Sequence, residues 1–171
     1  MSKPTQDRPV YQELLKRDVR SILEVGIGVA DRSVKMIEAA ACPGDVRQVS
    51  YCGVDLFEAR RRADGPGLSL KAAHQKLAST GARVRLVPGN AFSGIARVAN
   101  QLTQVDLVLI SGCQPRELLD QAWFYFPRML HDRAVVYLQK PCRAGESTAY
   151  DRVPADEIAI WAGRTRRSRA A

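Results

Sequence analysis

Short apolar segments alternate with longer segments of helical periodicity along most of the chain. Five segments rich in β-branched or aliphatic residues predict buried parallel strands, and they are Ser21–Val25, Val49–Val54, Val84–Val87, Val105–Ile110 and Ala134–Leu138. Between them, apolar residues recur at intervals of three or four, which predicts crossover helices packed on the sheet. The alternation is typical of an α/β fold.

Several helices have recognisable start signals. Val10–Asp18 predicts an N-terminal amphipathic helix, and Ala30–Ala40 predicts the helix that follows the first strand. Ser69 and Asn90 are suited to cap the next two helices, because their side chains can accept a hydrogen bond from a free N–H group of the first turn. Pro115 suits the first turn of the helix that precedes the fifth strand.

The last third of the chain predicts a different arrangement. Thr148–Val153 and Ile158–Gly163 have the composition of two short strands separated by turn residues, so we expect a closing β-hairpin with an antiparallel strand. The elements together predict one domain over residues 1–171, built on a doubly wound, mostly parallel sheet of about seven strands. In this division residues 1–18 carry the N-terminal helix, and residues 164–171 form a basic, frayed tail.

Composition and charge narrow the classes of protein. The chain is 46% hydrophobic and 26% charged, which is typical of a soluble domain, and no apolar run approaches the ~20 residues of a membrane span. The four cysteines form no C-x-x-C pair, so we predict no metal site and expect reduced, mostly buried thiols in a cytoplasmic protein. The net charge of +8 leaves a nucleic-acid partner open, but no aromatic residues are interleaved with the basic runs to stack bases.

Two strand ends carry the residues of a candidate ligand site. Gly26 and Gly28 follow the first strand and open a helix, so the chain can turn tightly there and a ligand can approach bare backbone. Asp55 follows the second strand, where a carboxylate can accept hydrogen bonds from the two hydroxyls of a ribose. Ligands of doubly wound sheets bind beyond the carboxyl ends of the strands, which is where these residues fall.

Acidic residues near the glycine turn discriminate between two adenosine-containing cofactors. A dinucleotide would place its pyrophosphate at the N-terminus of the following helix, where Asp31 would repel it. S-adenosylmethionine has no phosphate and carries an ammonium and a sulfonium, which Glu24 and Asp31 would attract. The sequence therefore favours S-adenosylmethionine over a nicotinamide dinucleotide.

Four segments now support a resemblance to a known family. Ile22–Gly28 resembles the glycine-rich first motif of class I S-adenosylmethionine-dependent methyltransferases, and Gly53–Phe57 resembles their acidic second motif. Val87–Ala91 is similar to the segment that borders the adenine, and Val105–Ser111 matches the fourth-strand motif in layout. The resemblance covers roughly Val19–Gly163 and implies a Rossmann-like fold that closes with an antiparallel strand.

The resemblance also implies a role for each matching residue. The residues implied to contact the cofactor are Glu24, Gly26, Gly28, Asp55, Leu56, Asn90 and Ala91. The first three would surround the methionine part, with the Glu24 carboxylate reaching the ammonium. Asp55 would hold the ribose hydroxyls, and Leu56 would pack on the adenine. Asn90 and Ala91 would form hydrogen bonds with the edge of the adenine.

Three departures from the family pattern shape the expected chemistry. Where the family often has an aspartate this chain has Asn90, whose amide lacks charge assistance, so weaker cofactor binding is predicted. Metal-dependent O-methyltransferases of similar layout carry an aspartate near Ser111, and serine does not replace it as a ligand, so no divalent-metal mechanism is predicted. The motif with which some N-methylating families follow this strand is also missing. Ser111, Cys113 and Gln114 are predicted to line the acceptor pocket, and no catalytic base is assigned.

Three functions remain open on the sequence alone. The favoured one is a methyltransferase that acts on a small-molecule acceptor by metal-independent, in-line transfer. A catalytically degenerate, methyltransferase-like binding protein is the second, because no base is evident. A nucleic-acid methyltransferase is the third, and it rests on the net charge of +8. A homodimer is compatible with the sequence, and a membrane partner is not expected.

Overall fold

The computed structural model describes residues 7–41, 45–141 and 148–170, and of residues 166–170 it describes the backbone alone. The strands are β1 (Ser21–Val25), β2 (Ser50–Asp55), β3 (Arg83–Pro88), β4 (Val105–Ile110), β5 (Leu130–Gln139) and β6 (Tyr150–Val153). They form one sheet in the order β3–β2–β1–β4–β5–β6. Neighbouring strands run parallel from β3 to β5, whereas β6 is antiparallel to β5.

Helices cover both faces of this sheet. They are α1 (Arg8–Lys16), α2 (Asp31–Ala41), α3 (Leu70–Ala78), α4 (Ala91–Val98), α5 (Arg116–Ala122), α6 (Phe126–Met129) and α7 (Ala155–Ala170). The buried apolar side chains form two clusters, one for each face. Leu23 and Val25 of β1 belong to the cluster under α4 to α7, while Ile22 belongs to the cluster under α1 to α3. This division follows from the alternation of side chains along a strand.

The strand order reverses at β1, which places three strand ends side by side. Val25 is in register with Val54 of β2 on one side and with Ile110 of β4 on the other. The backbone ladder continues past these ends, because Gly26 donates its N–H to the carbonyl of Val54 at 2.8 Å and Ser111 donates to Val25 at 2.8 Å. The loops after β1, β2 and β4 therefore meet at a topological switch point, where ligands of such sheets bind.

Most predicted elements are confirmed. β1 and β4 have the predicted bounds, and the other three parallel strands overlap their predicted segments. Ser69 caps α3 by accepting from Ala72 N at 3.1 Å, and Asn90 caps α4 by accepting from Ser93 N at 2.9 Å. Local signals specified these boundaries because each cap satisfies an N–H group that has no partner within its helix.

The closing hairpin is only half confirmed. Tyr150–Val153 is the antiparallel strand β6, but Ile158–Gly163 lies in helix α7, so the sheet has six strands rather than about seven. Pro154 and the acidic residues after it begin a helix instead of forming a turn. Carboxylates in the first turn stabilise a helix, because they interact favourably with the positive end of its dipole. Ile158 and Ala162, four residues apart, are buried against the core while Ile160 is exposed, which is helical and not strand spacing.

The basic segment from Arg164 continues α7 as far as Ala170.

Among the residues that the structure describes, no helix combines the length and the apolar character needed to cross a bilayer.

The helical state of the C-terminal segment can be tested at Ala159, an exposed residue inside α7. Ala159→Pro should lower the free energy of unfolding by about 3 kcal/mol, because proline removes a helical hydrogen bond and clashes with the preceding turn. The matched variant Ala159→Gly should cost only about 1 kcal/mol. Urea denaturation measures both, and equal midpoints for the two variants would contradict the helix.

Candidate functional site

The glycine turn after β1 packs closely against the loop that follows β4. Gly26 and Gly28 adopt φ angles of 89° and 62°, in the left-handed region that favours glycine. A Cβ atom on Gly26 would lie 2.6 Å from Cβ of Ser111 and 2.7 Å from Nε2 of Gln114. Only glycine therefore permits this approach, and the side chain of Gln114 lies directly on the bare backbone of the turn.

The carboxylate of Asp55 joins the end of β2 to the same turn. Its side chain is only 3% exposed. Oδ2 accepts from the backbone N–H of Gly28 at 2.8 Å, and Oδ1 accepts from the N–H of Leu56 at 2.6 Å. The two strand ends that the sequence singled out are thus in direct contact, as the proposed ligand site requires.

Arg60 forms an ion pair with the same carboxylate. Its Nη2 atom lies 2.5 Å from Oδ1 and 2.6 Å from Oδ2 of Asp55, and its Nη1 donates to the carbonyl of Asp64 at 2.5 Å. The Arg60 side chain is 10% exposed and lies over Gly67, where a Cβ atom would collide with Nε. The guanidinium therefore sits where the sequence places the ribose hydroxyls. In the sequence, this ion pair is indicated only by a basic residue, Arg60, that follows Asp55 by a few positions.

Glu24 lies inside the protein rather than in the crevice. Its carboxylate is 0% exposed and accepts from Arg32 Nε at 3.0 Å, Arg32 Nη2 at 2.8 Å, Ser33 Oγ at 2.6 Å and Tyr51 OH at 2.6 Å. Burial raises the pKa of the Tyr51 hydroxyl well above its usual value, and the Glu24 carboxylate raises it further, so Tyr51 is held as a donor. Four protein donors thus saturate the Glu24 carboxylate.

Arg32 connects this buried carboxylate to three other parts of the site. Besides Glu24, it donates to the carbonyl of Gly26 at 3.3 Å, to Gln139 Oε1 at 3.0 Å and to Tyr150 OH at 3.3 Å. Burial opposes its charge, but the Glu24 carboxylate raises the pKa of the guanidinium above its usual value. With all five N–H donors engaged, Arg32 joins β1, the glycine turn, β5 and β6.

Asp31, the third acidic residue of the predicted site, is also paired. It is the first residue of α2, and its exposed carboxylate forms an ion pair with Lys76 of α3. Each of the three acids that the sequence assigned to the site therefore has a cation from the chain itself. The potential around the glycine turn is less negative than the sequence predicted, because each internal cation offsets one carboxylate.

Two cavities lie on either side of Gln114, in the loop that follows β4. The first, here named the β2 cavity, has a volume of about 410 Å³ and lies beyond β2 and β3. Its walls include Asp55, Leu56, Arg60, Asn90, Cys113 and Gln114. The amide oxygen of Asn90 already accepts from Ser93 N, while the N–H of Ala91 lies in the first turn of α4, where no intrahelical acceptor is available.

The second cavity, named the β4 cavity, has a volume of about 530 Å³ and lies beyond β4 and β5. Its walls include Ser111, Gln114, Leu119, Trp123, Leu138 and Trp161. Gln114 lines both cavities, so its side chain stands between them. The Ser111 hydroxyl lies 3.2 Å from the sulfur of Cys113.

The thiols only partly match the expectation from the sequence. Cys52 is buried, and burial raises the pKa of its thiol to about 11. Cys113 is exposed, because it lies in the loop beyond β4. Cys42 and Cys142 fall outside the described residues. Within ranges 7–41, 45–141 and 148–170, no group of three or more His, Cys, Asp or Glu side chains is arranged to hold a metal ion.

Most residues that the sequence assigned to the site lie close together, but the internal ion pairs were not predicted. Gly26, Gly28 and Asp55 meet as expected, and Ser111 and Gln114 lie beside them. Leu56 and Asn90 line the β2 cavity, and Ala91 begins the helix next to it. Cys113, predicted in the acceptor pocket with Ser111 and Gln114, lines the β2 cavity and not the β4 cavity. The arginines at positions 32 and 60 were missed, because their pairing depends on tertiary contacts that no local pattern shows.

Comparisons with solved structures show the fold that carries this site. The O-methyltransferase TomG from Streptomyces achromogenes, solved in complex with SAM, shares 13% identity at a TM-score of 0.60, over 98% of this chain and 69% of that one. Cofactor-bound Rv0187 from MTB shares 18% identity at a TM-score of 0.58, over 98% and 68%. A SAM-dependent methyltransferase from Agrobacterium tumefaciens shares 15% identity at a TM-score of 0.53, over 80% of this chain.

These similarities establish the fold, which is that of S-adenosylmethionine-dependent methyltransferases. The chain spans 44% of the length of the Agrobacterium protein. No protein-family model matches the chain, and no curated protein is similar to it in sequence.

The Glu24–Arg32 pair provides a stability test of the site's foundation. Arg32→Gln should lower the free energy of unfolding by about 3–5 kcal/mol, because it leaves a buried carboxylate without its counter-ion. The double variant Glu24→Gln/Arg32→Gln should recover part of this loss. Arg47→Gln, which breaks an exposed pair with Asp45, serves as the control and should leave the urea midpoint unchanged. An Arg32→Gln midpoint equal to that of the control would contradict the assignment.

Proposed function

We propose that the chain is an S-adenosylmethionine-dependent methyltransferase that binds the cofactor between the glycine turn and the β2 cavity. The contact between Gly28 N and the Asp55 carboxylate supports this most directly, because it brings a ribose-binding acid onto a turn of bare backbone. The cavity of about 410 Å³ beside Asp55 and Leu56 offers space for the adenosine part, whereas the side chains of Ser111 and Gln114 lie on Gly26 and would have to move to admit the methionine part. The shared fold with a methyltransferase solved in complex with SAM adds support.

The residues around the β2 cavity would divide the work of binding. Asp55 would accept from the ribose hydroxyls, and Leu56, half-buried on the wall, would pack on the adenine. Asn90 and the N–H of Ala91 would form hydrogen bonds with the adenine edge. Glu24 would act as a positioning residue, since it anchors Arg32 and with it the carbonyl of Gly26.

Cofactor binding requires an exchange of partners at Asp55. In the structure Arg60 contacts both carboxylate oxygens, so the ribose hydroxyls would have to displace it. In this exchange the ribose hydroxyls would restore the hydrogen bonds that Asp55 loses, and the displaced guanidinium of Arg60 would be hydrogen-bonded by water. The loop from Arg60 to Gly67 would move with it, since Arg60 is packed against Gly67. The apparent affinity for S-adenosylmethionine is lower than it would otherwise be, because the Arg60–Asp55 ion pair has to break before the cofactor binds.

The chain's own residues would contribute mainly by alignment. When bound, S-adenosylmethionine supplies a methyl group whose bond to sulfur breaks as an acceptor lone pair forms the new bond, with the bonding electrons staying on sulfur. Ser111 and Gln114 lie beside the glycine turn and would orient an acceptor in the β4 cavity for in-line attack. A volume of about 530 Å³ suits a small molecule. Serine at position 111 in place of a carboxylate favours a metal-independent reaction.

Asp55→Asn tests the cofactor site. We expect affinity for S-adenosylhomocysteine to fall about tenfold or more in a calorimetric titration, because one charge-assisted acceptor is lost. Asp64→Asn is the matched control, since it removes the same charge from the same cavity but keeps an acceptor for the N–H of Arg61. Repeating Asp55→Asn in an Arg60→Ala background removes the competing guanidinium from the comparison. If Asp55→Asn left the affinity unchanged in both backgrounds, the proposal would be contradicted.

Arg60→Ala tests the exchange of partners. The variant should be less stable than the parent, because Asp55 is left buried without its cation. It should nevertheless bind S-adenosylhomocysteine severalfold more tightly, since no closed pair has to be opened first. Arg62→Ala removes the same charge from an exposed neighbour and is the control. Calorimetry and thermal melting measure the two effects, and weaker binding by Arg60→Ala would count against the displacement.

A second candidate function has an observation of its own. Arg60 contacts the Asp55 carboxylate where a ribose would bind in the first proposal, and Gln114 lies on the glycine turn. Such an arrangement is expected of a binding protein that has lost its cofactor. This hypothesis predicts that neither the parent nor Arg60→Ala binds S-adenosylmethionine. Calorimetric titration of these two proteins therefore decides between the two candidates.

A further inference from the structure

The walls of the β4 cavity are rigid and aromatic. The rings of Trp123 and Trp161 lie with centroids 4.8 Å apart, and Trp123 also packs on Phe126 at 4.7 Å. The Thr165 hydroxyl donates to the carbonyl of Asp120 at 2.7 Å and so fixes α7 against α5. Trp123 is buried in this cluster, so the half-buried indole of Trp161 is the aromatic surface available to a ligand. It suits a flat, apolar group, because aromatic faces pack well on planar groups.

The rim of the same cavity is cationic. Among the described residues that line it, Arg116 and Arg164 face one acid, Asp120. The Arg116 side chain is 90% exposed and lies 3.8 Å from Asp120, a distance that leaves most of its donors available. Arg164 makes no ion pair within the part of the chain that the structure describes. Guanidinium groups bind carboxylates through paired N–H donors, so an anionic group would be retained at this rim.

The floor of the cavity faces the proposed methyl donor. Ser111 and Gln139 lie where β4 and β5 end, and Gln114 separates the space from the β2 cavity. The cavity therefore adjoins the side chain of Gln114, which lies on the glycine turn.

We propose that the β4 cavity selects a small acceptor with a planar, apolar body and a carboxylate. The body would pack on the indole of Trp161, which Trp123 supports, and Arg164 and Arg116 would hold the charged end. That this ligand is the methyl acceptor rests on the proposed function, whereas its binding does not.

The chain reports occupancy of this cavity by its own fluorescence, because its only two tryptophans both line it. Three probes share a phenol ring and differ in charge: 4-hydroxyphenylacetate, 4-ethylphenol and tyramine. Titrations without cofactor should show saturable quenching, with the anion binding at least tenfold more tightly than the cation. Quenching that is absent for all three, or equal for all three, would overturn the proposal.

Arginine variants locate the selectivity. Arg116→Gln/Arg164→Gln should weaken binding of 4-hydroxyphenylacetate about tenfold and leave 4-ethylphenol unaffected, while Arg97→Gln, an exposed change elsewhere, should alter neither. An unchanged charge preference in the double variant would overturn the assignment of the rim. Selective anion binding by a chain that does not bind S-adenosylhomocysteine would refute the proposed function and leave the cavity's selectivity standing. Binding of S-adenosylhomocysteine without anion selectivity would refute the proposed selectivity of the β4 cavity and leave the proposed function standing.

Discussion

A buried carboxylate needs a partner, and the site depends on how that requirement is met at Asp55. The side chain is 3% exposed at the end of β2, where it accepts from the backbone of the glycine turn and from Arg60. An unpaired charge in this position would cost several kcal/mol, on the order found for broken buried pairs. In the structure Arg60 meets this requirement, and in the proposed function the hydroxyls of a ligand would meet it instead.

The same constraint shapes the rest of the crevice. Glu24 is paired with Arg32, and Asp31 with Lys76, so the site is held together by internal ion pairs before any cofactor binds. Arg32 in particular joins the glycine turn to β5 and β6. Discrimination between cofactors must then come from shape and hydrogen bonding more than from the negative potential that the sequence alone suggested.

Features that depend on local sequence, such as strand bounds and helix caps, could be predicted. Features that depend on tertiary contacts, such as ion-pair partners, could not. The bounds of β1 and β4 and the caps Ser69 and Asn90 follow from apolar runs and free N–H groups, so they were predictable. The prediction of a strand over Ile158–Gly163 is wrong because Pro154 and the acidic residues after it begin a helix instead of forming a turn. The partners of Glu24 and Asp55 come from residues whose position depends on the whole fold, so no spacing rule identified them.

The exchange at Asp55 is most directly visible in a crystal structure of the chain with S-adenosylhomocysteine. We expect ribose hydroxyls within hydrogen-bond distance of the Asp55 carboxylate, the guanidinium of Arg60 released from it, and the amino-acid end of the ligand on the Gly26 backbone. A structure grown at saturating ligand in which Arg60 still holds both oxygens of Asp55, with the ligand bound elsewhere or missing, would contradict the exchange.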